Sequence, residues 1–130
     1  MRILLDTQCW LWMAASPAKL SREARALVES TEHELLLSAA SAWEIAIKYA
    51  IGKLEMPEPP ARYVPKRMEI LRTVALPIEH DHALRVATLA AHHRDPFDRV
   101  LVAQAQIENV PILTSDPIFE SYDVTVIRAA

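Results

Sequence analysis

Short apolar runs alternate with longer segments of helical period along this chain, and that alternation sets the expected fold. Ile3-Leu4-Leu5, Leu35-Leu36-Leu37 and Ile112-Leu113 are unbroken apolar stretches, too short for helices. Stretches of this kind suit strands buried on both faces of a parallel sheet. Strands are expected over residues 2–5, 34–38, 73–76, 111–113 and 124–127, the third at a sheet edge before Pro77. Between them, residues 21–29 put Leu20, Ala24, Leu27 and Val28 on one helical face. Residues 40–51 form a further helix, stopped by Gly52, the single glycine. Four prolines make residues 56–65 the least regular stretch, with a helix following over 66–71. Residues 79–91 read as helix from their Ala and Leu content, and residues 96–108 as a helix with Pro96 at its first position. Strands alternating with helices in this way predict an α/β fold, a three-layer α/β/α sandwich, in one domain over residues 1–130.

Four carboxylates interrupt this pattern. Asp6 closes the first apolar run, Glu44 sits inside apolar residues 39–51, Asp98 precedes Val100-Leu101-Val102, and Asp116 follows Pro111-Ile112-Leu113. A carboxylate beside a core-forming segment is costly unless it is paired or bound to metal. In open α/β sheets ligands bind beyond the carboxyl ends of the strands, and Asp6 and Asp116 each directly follow a strand. Both therefore project over that edge.

Each acid also has a plain structural reading. Asp6 can cap a helix beginning near Gln8, and Asp116-Pro117 repeats the same logic. Glu44 has Lys48 one turn on, the spacing of a surface ion pair. In Asp95-Pro96-Phe97-Asp98, Asp95 suits the cap and Asp98 the first turn, where the helix dipole favours negative charge. Capping explains neither Glu44 among Trp43, Ile45 and Ile47 nor Asp98 on one face with Leu101, Val102 and Ala105. Gathered by the fold, the four acids form a site for hard divalent cations and point to phosphodiester chemistry.

Composition narrows the setting. A chain of 130 residues, 52% hydrophobic and 24% charged, is globular with a slight apolar surplus that hints at a subunit interface. The net charge of −3 becomes +1 without the four acids, so charge says nothing of the substrate. Cys9 is the lone cysteine and has no partner for an internal disulfide, which suits a reducing cytoplasm. Arg2 and three apolar residues before Asp6 do not make a signal peptide. No apolar run approaches the roughly 20 residues of a membrane span, so a soluble, cytoplasmic protein is expected.

Four strings in order carry a resemblance over nearly the whole chain: Leu4-Leu5-Asp6-Thr7 with Leu11-Trp12, SAASAWEIAIK (residues 38–48), RDPFDRVLVAQA (residues 94–105) and ILTSD (residues 112–116) leading into Val126-Ile127. The chain resembles PIN-domain ribonucleases, and within them VapC-type toxins of toxin–antitoxin pairs. The resemblance implies a five-stranded parallel sheet and an acidic cleft holding Mg2+ or Mn2+. Asp6, Glu44 and Asp98 fall on the family's most characteristic acids, and Asp116 on a fourth that varies more. Asp95 is an additional acid near the third position, a supporting group or a helix cap, and Thr7 and Ser115 fall at hydroxyl-bearing positions of the family's site, suited to hold water or orient a carboxylate. It further implies RNA as substrate, a homodimer, and a cognate antitoxin whose tail occupies the cleft.

Other readings are weaker. His80-x-His82 and His92-His93 lack a Cys/His partner at zinc spacing, so satisfied or exposed histidines are expected. An aspartyl phosphatase would carry a second acid where Gln8 stands. The competing reading from another class is a PIN fold that binds a partner but no longer cuts. Lys48, Arg94 and Arg99 are candidate contacts to an RNA backbone, while Lys53, Arg62, Lys66 and Arg67 read as solvated surface charge. Trp10, Trp12 and Trp43 are expected mostly in the core, though the apolar surplus allows a dimer face.

Overall fold

The parallel sheet forms because its strands bury both faces. A computed structural model describes residues 1–92 and 95–130. Strands β1 (Arg2–Leu5), β2 (Glu34–Ser38), β3 (Thr73–Leu76), β4 (Ile112–Thr114) and β5 (Val126–Arg128) form one sheet in the order β3-β2-β1-β4-β5. Every pairing is parallel. Alternate residues of the same strands feed two cores. Ile3, Leu5, Leu35, Leu37 and Leu113 pack on one face, and Leu4, Leu36, Leu76 and Ile112 on the other.

The helices are α1 (Thr7–Ala15), α2 (Arg22–Glu29), α3 (Ala39–Ala50), α4 (Pro60–Leu71), α5 (His80–Arg85) and α6 (Pro96–Glu108). Trp10 of α1, Ala24 of α2 and Tyr63 of α4 join the first core, and Leu101, Val102 and Ala105 of α6 the second. Helix α3 gives Ala40 to the second core and Ile45 to the first, so it straddles the carboxyl edge of the sheet. The chain winds from β1 outward to β3, then returns past β1 to β4. The crevice between β1 and β4 is therefore the place where strand order reverses, the usual ligand position in such sheets.

Most expected elements stand within a residue or two of their predicted bounds, with three departures. Helix α1 fills the segment that follows the Asp6 cap position and extends it to Ala15. Helix α4 starts at Pro60, six residues before expectation, and carries Pro65 inside it. Pro60 needs no N–H at a helix start, and Ala61, whose carbonyl Pro65 leaves without a donor, is exposed to water. The helix expected over 79–91 stops at Arg85 and continues as a 3-10 turn, Val86–Thr88. There the Arg99 guanidinium donates to the carbonyls of Val86 (3.1 Å), Leu89 (3.4 Å) and Ala90 (3.0 Å), replacing helical partners.

Arg99, a candidate phosphate contact, thus also staples this segment. Arg94 and His93 lie outside the described residues. Trp10 is buried and Trp12 partly so, but Trp43 is 58% exposed, outside the core and open to the other expected place, an apolar face. Buried His82 is satisfied, its Nδ1 accepting from the Glu79 N–H (2.9 Å) and its Nε2 meeting Glu108 at 2.9 Å. Among the described residues no helix is long and apolar enough to cross a membrane.

Candidate active site

Asp6 leaves β1 at the point where its chain meets β4. Its N–H donates to the Leu113 carbonyl at 3.0 Å, which fixes the backbone beside the end of that strand. Asp6 holds the N-cap position of α1, yet its side chain makes no capping bond. Oδ2 instead accepts from the Thr114 hydroxyl at 2.8 Å. With the residue 7% exposed, burial raises the Asp6 carboxyl above its ordinary range. The charges of Glu44 and Asp116 push the same way, opposed by the Thr114 hydroxyl and the Thr7 backbone.

Glu44 arrives on α3, whose start is fixed by the Ser38 hydroxyl accepting from the Ala40 N–H at 3.0 Å. The expected partner is present, with Lys48 Nζ at 2.6 Å from Oε2. The location is not that of a surface pair, because the Glu44 side chain is 7% exposed and that of Lys48 48%. Glu44 Oε1 is buried with no hydrogen-bond partner. The bond to Glu44 raises the Lys48 ammonium above its usual range against the opposing effect of burial, and Asp95 and Asp98 add to the rise.

Asp98 is half-buried on α6, on the face that carries Leu101 and Val102 into the core. Asp95 caps that helix, Oδ1 accepting from the N–H groups of Phe97 (2.9 Å) and Asp98 (3.3 Å). Asp116 likewise caps the 3-10 turn Pro117–Ser121, Oδ1 accepting from the Ile118 N–H at 3.0 Å. The capping readings thus hold for Asp95 and Asp116 and fail for the Asp6 side chain.

Asp6, Glu44, Asp95, Asp98 and Asp116 nevertheless line a single cavity of about 410 Å3, with Thr7 and Ser115 on its wall. A larger cavity of about 850 Å3 sits at the amino end of β2 and contains none of these acids. Lys48 and Lys53 also border the acidic cavity. Lys53, which its sequence position marks as remote surface charge, is brought back by the turn that ends α3. Gly52 at φ 74 lets the N–H of Lys53 reach the Lys48 carbonyl (2.8 Å) while its own reaches that of Tyr49 (3.1 Å).

All these donors are oxygen, the chemistry a hard divalent cation selects, and Glu44 Oε1 is a buried acceptor with nothing to accept. The fit is one of composition and placement. Among the described residues no three Asp, Glu, His or Cys side chains are grouped closely enough to hold an ion as they stand. Cys9 takes no part: burial chiefly, helped by the charge of Asp6, pushes its thiol up to about 12.

Thr114 carries no local sequence signal of a site role, unlike the hydroxyls expected there, Thr7 and Ser115. The Thr7 hydroxyl donates to Ser41 at 2.7 Å and so ties α1 to α3. Thr114 both donates to Asp6 and accepts from the Asp116 N–H at 3.0 Å. The signal was register: Leu5 pairs with Leu113, so the next residue of each strand, Asp6 and Thr114, must meet. Thr114→Val keeps shape and loses the hydroxyl. It is expected to lower Mn2+ affinity by about tenfold or more, read by calorimetric titration, with the circular dichroism of the folded chain unchanged.

The PIN domain family profile matches the chain over residues 3–124. Ribonuclease VapC16 of Mycobacterium tuberculosis is 55% identical over 60 residues, which cover 46% of this chain and 43% of that protein. That match thus spans under half of the relative's length. Ribonuclease VapC22 of the same organism is 28% identical over 114 residues, 88% of this chain and 86% of that protein. In three dimensions the chain is similar to a chain of VapBC2 from Rickettsia felis, crystallised with promoter DNA, at a TM-score of 0.75 and 13% identity over 100% of both chains. DNA-bound VapBC from Salmonella typhimurium gives 0.69 and 16% identity over 98% of both. These two likenesses are of fold, and they agree with the parallel sheet order and helical layers described above. With the family profile spanning β1 to the residues just before β5, the chain belongs to the PIN domain family.

Proposed function

We propose that this chain is a metal-dependent endoribonuclease, the toxin of a type II toxin–antitoxin pair. The observation that carries the proposal is the convergence of carboxylates from β1, α3, α6 and the end of β4 on one cavity. Relatives named as ribonucleases, and fold neighbours crystallised as VapBC complexes, support the substrate class and the partner. Asp6, Glu44 and Asp98 are the residues that would hold the cation, with Asp116 as a fourth oxygen donor on the same cavity. A bound Mg2+ or Mn2+ supplies charge neutralisation and Lewis acidity toward a phosphodiester.

The chain's own part is positional. Thr114 orients Asp6, Ser38 fixes the start of α3 and hence Glu44, and Asp95 fixes the first turn that carries Asp98. Lys48 and Lys53 bring positive charge to the wall along which an RNA backbone would lie. The cognate antitoxin is the natural competitor for the same cavity, and a reducing cytoplasm is the compartment in which such a pair would act.

Purified protein incubated with RNA and Mg2+ tests the reading. Cleavage should stop in EDTA and return with excess Mg2+ or Mn2+, and fragments should carry 5′-phosphate and 3′-hydroxyl ends. Ends bearing 2′,3′-cyclic phosphate, or cleavage that continues in chelator, would sink the proposal. No cleavage and no carboxylate-dependent Mn2+ binding would favour the silent scaffold.

A further inference from the structure

Glu44 enters the cavity with one oxygen engaged and the other free. Oε2 accepts from Lys48 Nζ at 2.6 Å, while Oε1 is buried without a partner. The two residues sit one turn apart on α3, but their surroundings differ sharply. The carboxylate side chain is 7% exposed and fixed among core residues, whereas that of the lysine is 48% exposed on a long flexible stem. An ordinary pair on a helix surface would have both ends in water. Here an exposed cation covers a buried carboxylate, on the wall that also presents Asp95 and Asp98.

From this asymmetry we infer that Lys48 is a built-in competitor of the divalent cation. It neutralises and orients Glu44 before the ion arrives, then yields Oε2 as the ion binds. The released ammonium remains on the cavity wall, free to meet a phosphate of the RNA. The inference rests on the metal-dependent reading given above and adds to it a residue that sets how tightly the ion is held. The physical argument is electrostatic. A univalent and a divalent cation sharing one carboxylate repel each other, so removing the lysine charge should favour the ion. Lys48 acts through Glu44 and is a positioning residue. Placing it on the exposed end of the pair means its substitution leaves the core packing intact.

Mn2+ titrated calorimetrically into the RNA-free chain gives a readout independent of cleavage. Lys48→Gln is expected to bind Mn2+ about tenfold more tightly than wild type at low salt, with the gap narrowing as salt rises. Lys48→Arg, which keeps the charge, should restore affinity to near the wild-type value. Unchanged or weaker binding by Lys48→Gln, with wild type binding normally, would overturn the inference and leave the nuclease reading standing. A wild-type chain that binds no Mn2+ would overturn both.

Discussion

Asp6→Asn should lower RNA cleavage by at least about a hundredfold, while the variant melts at or above the temperature of the wild type. Loss of activity follows from removing a charged oxygen at the crevice between β1 and β4. Survival of the fold follows from the same surroundings. Asp6 is 7% exposed, and burial together with the charges of Glu44 and Asp116 raises its carboxyl above the ordinary value of 3.8. A group raised in this way binds its proton more tightly in the folded state than in the unfolded one. Its ionised form therefore costs stability above the folded pKa, and the cost disappears as pH falls through that value toward 3.8. Asparagine is neutral at every pH, and its carbonyl oxygen can still accept from the Thr114 hydroxyl. The melting temperature of Asp6→Asn should exceed that of wild type most at neutral pH, and the difference should shrink on acidification. Asp98→Asn is expected to lose activity similarly. A collapse of the fold in both variants would return these acids to a structural role.

The sequence made the sheet legible because its strands are so nearly all apolar. Leu35-Leu36-Leu37 buried on both faces admits little but a central strand, and Pro96 at the head of a helix needed no structure to be seen. Pro65 misled, since a proline normally ends a helix and only the exposure of Ala61 makes it tolerable in α4. The shortening of the helix after Glu79 was invisible for another reason. It depends on Arg99, distant in sequence, taking over three carbonyls. The acids were legible one by one as misplaced charges, and strand polarity alone predicted that Asp6 and Asp116 share an edge. What sequence could not supply was register. The meeting of Thr114 with Asp6 and the return of Lys53 to the cavity are products of pairing and of a helix C-terminus, not of local composition.

The outer face of α3 calls for a partner, and substituting it should turn a dimer into a monomer. Trp43, Ile47 and Ile51 recur every fourth residue and are 58%, 36% and 59% exposed, with Ala46 and Ala50 exposed between them. The inward face of the same helix carries Ala40, Ser41, Glu44 and Ile45, all buried. A helix lying on a monomer's surface would show polar residues outward, so this apolar stripe is the reverse of what water selects. Trp43 meets Phe97 edge to face at 5.1 Å and 83°, which extends the apolar surface onto the start of α6. A second copy is the simplest cover, since a two-fold axis lets one stripe pack on its own image. Trp43→Ser combined with Ile47→Glu removes the largest contact and places an unpaired charge in the seam, a cost of several kcal/mol on the order expected for a buried charge without a partner. Sedimentation velocity at micromolar concentration should then show a folded monomer where the wild type sediments as a dimer. Glu44 and Lys48 lie on the same helix, so such a seam would border the acidic cavity, and the monomer should also lose RNA affinity. A wild type that sediments as a monomer would reassign the stripe to a different partner, the antitoxin being the first to test.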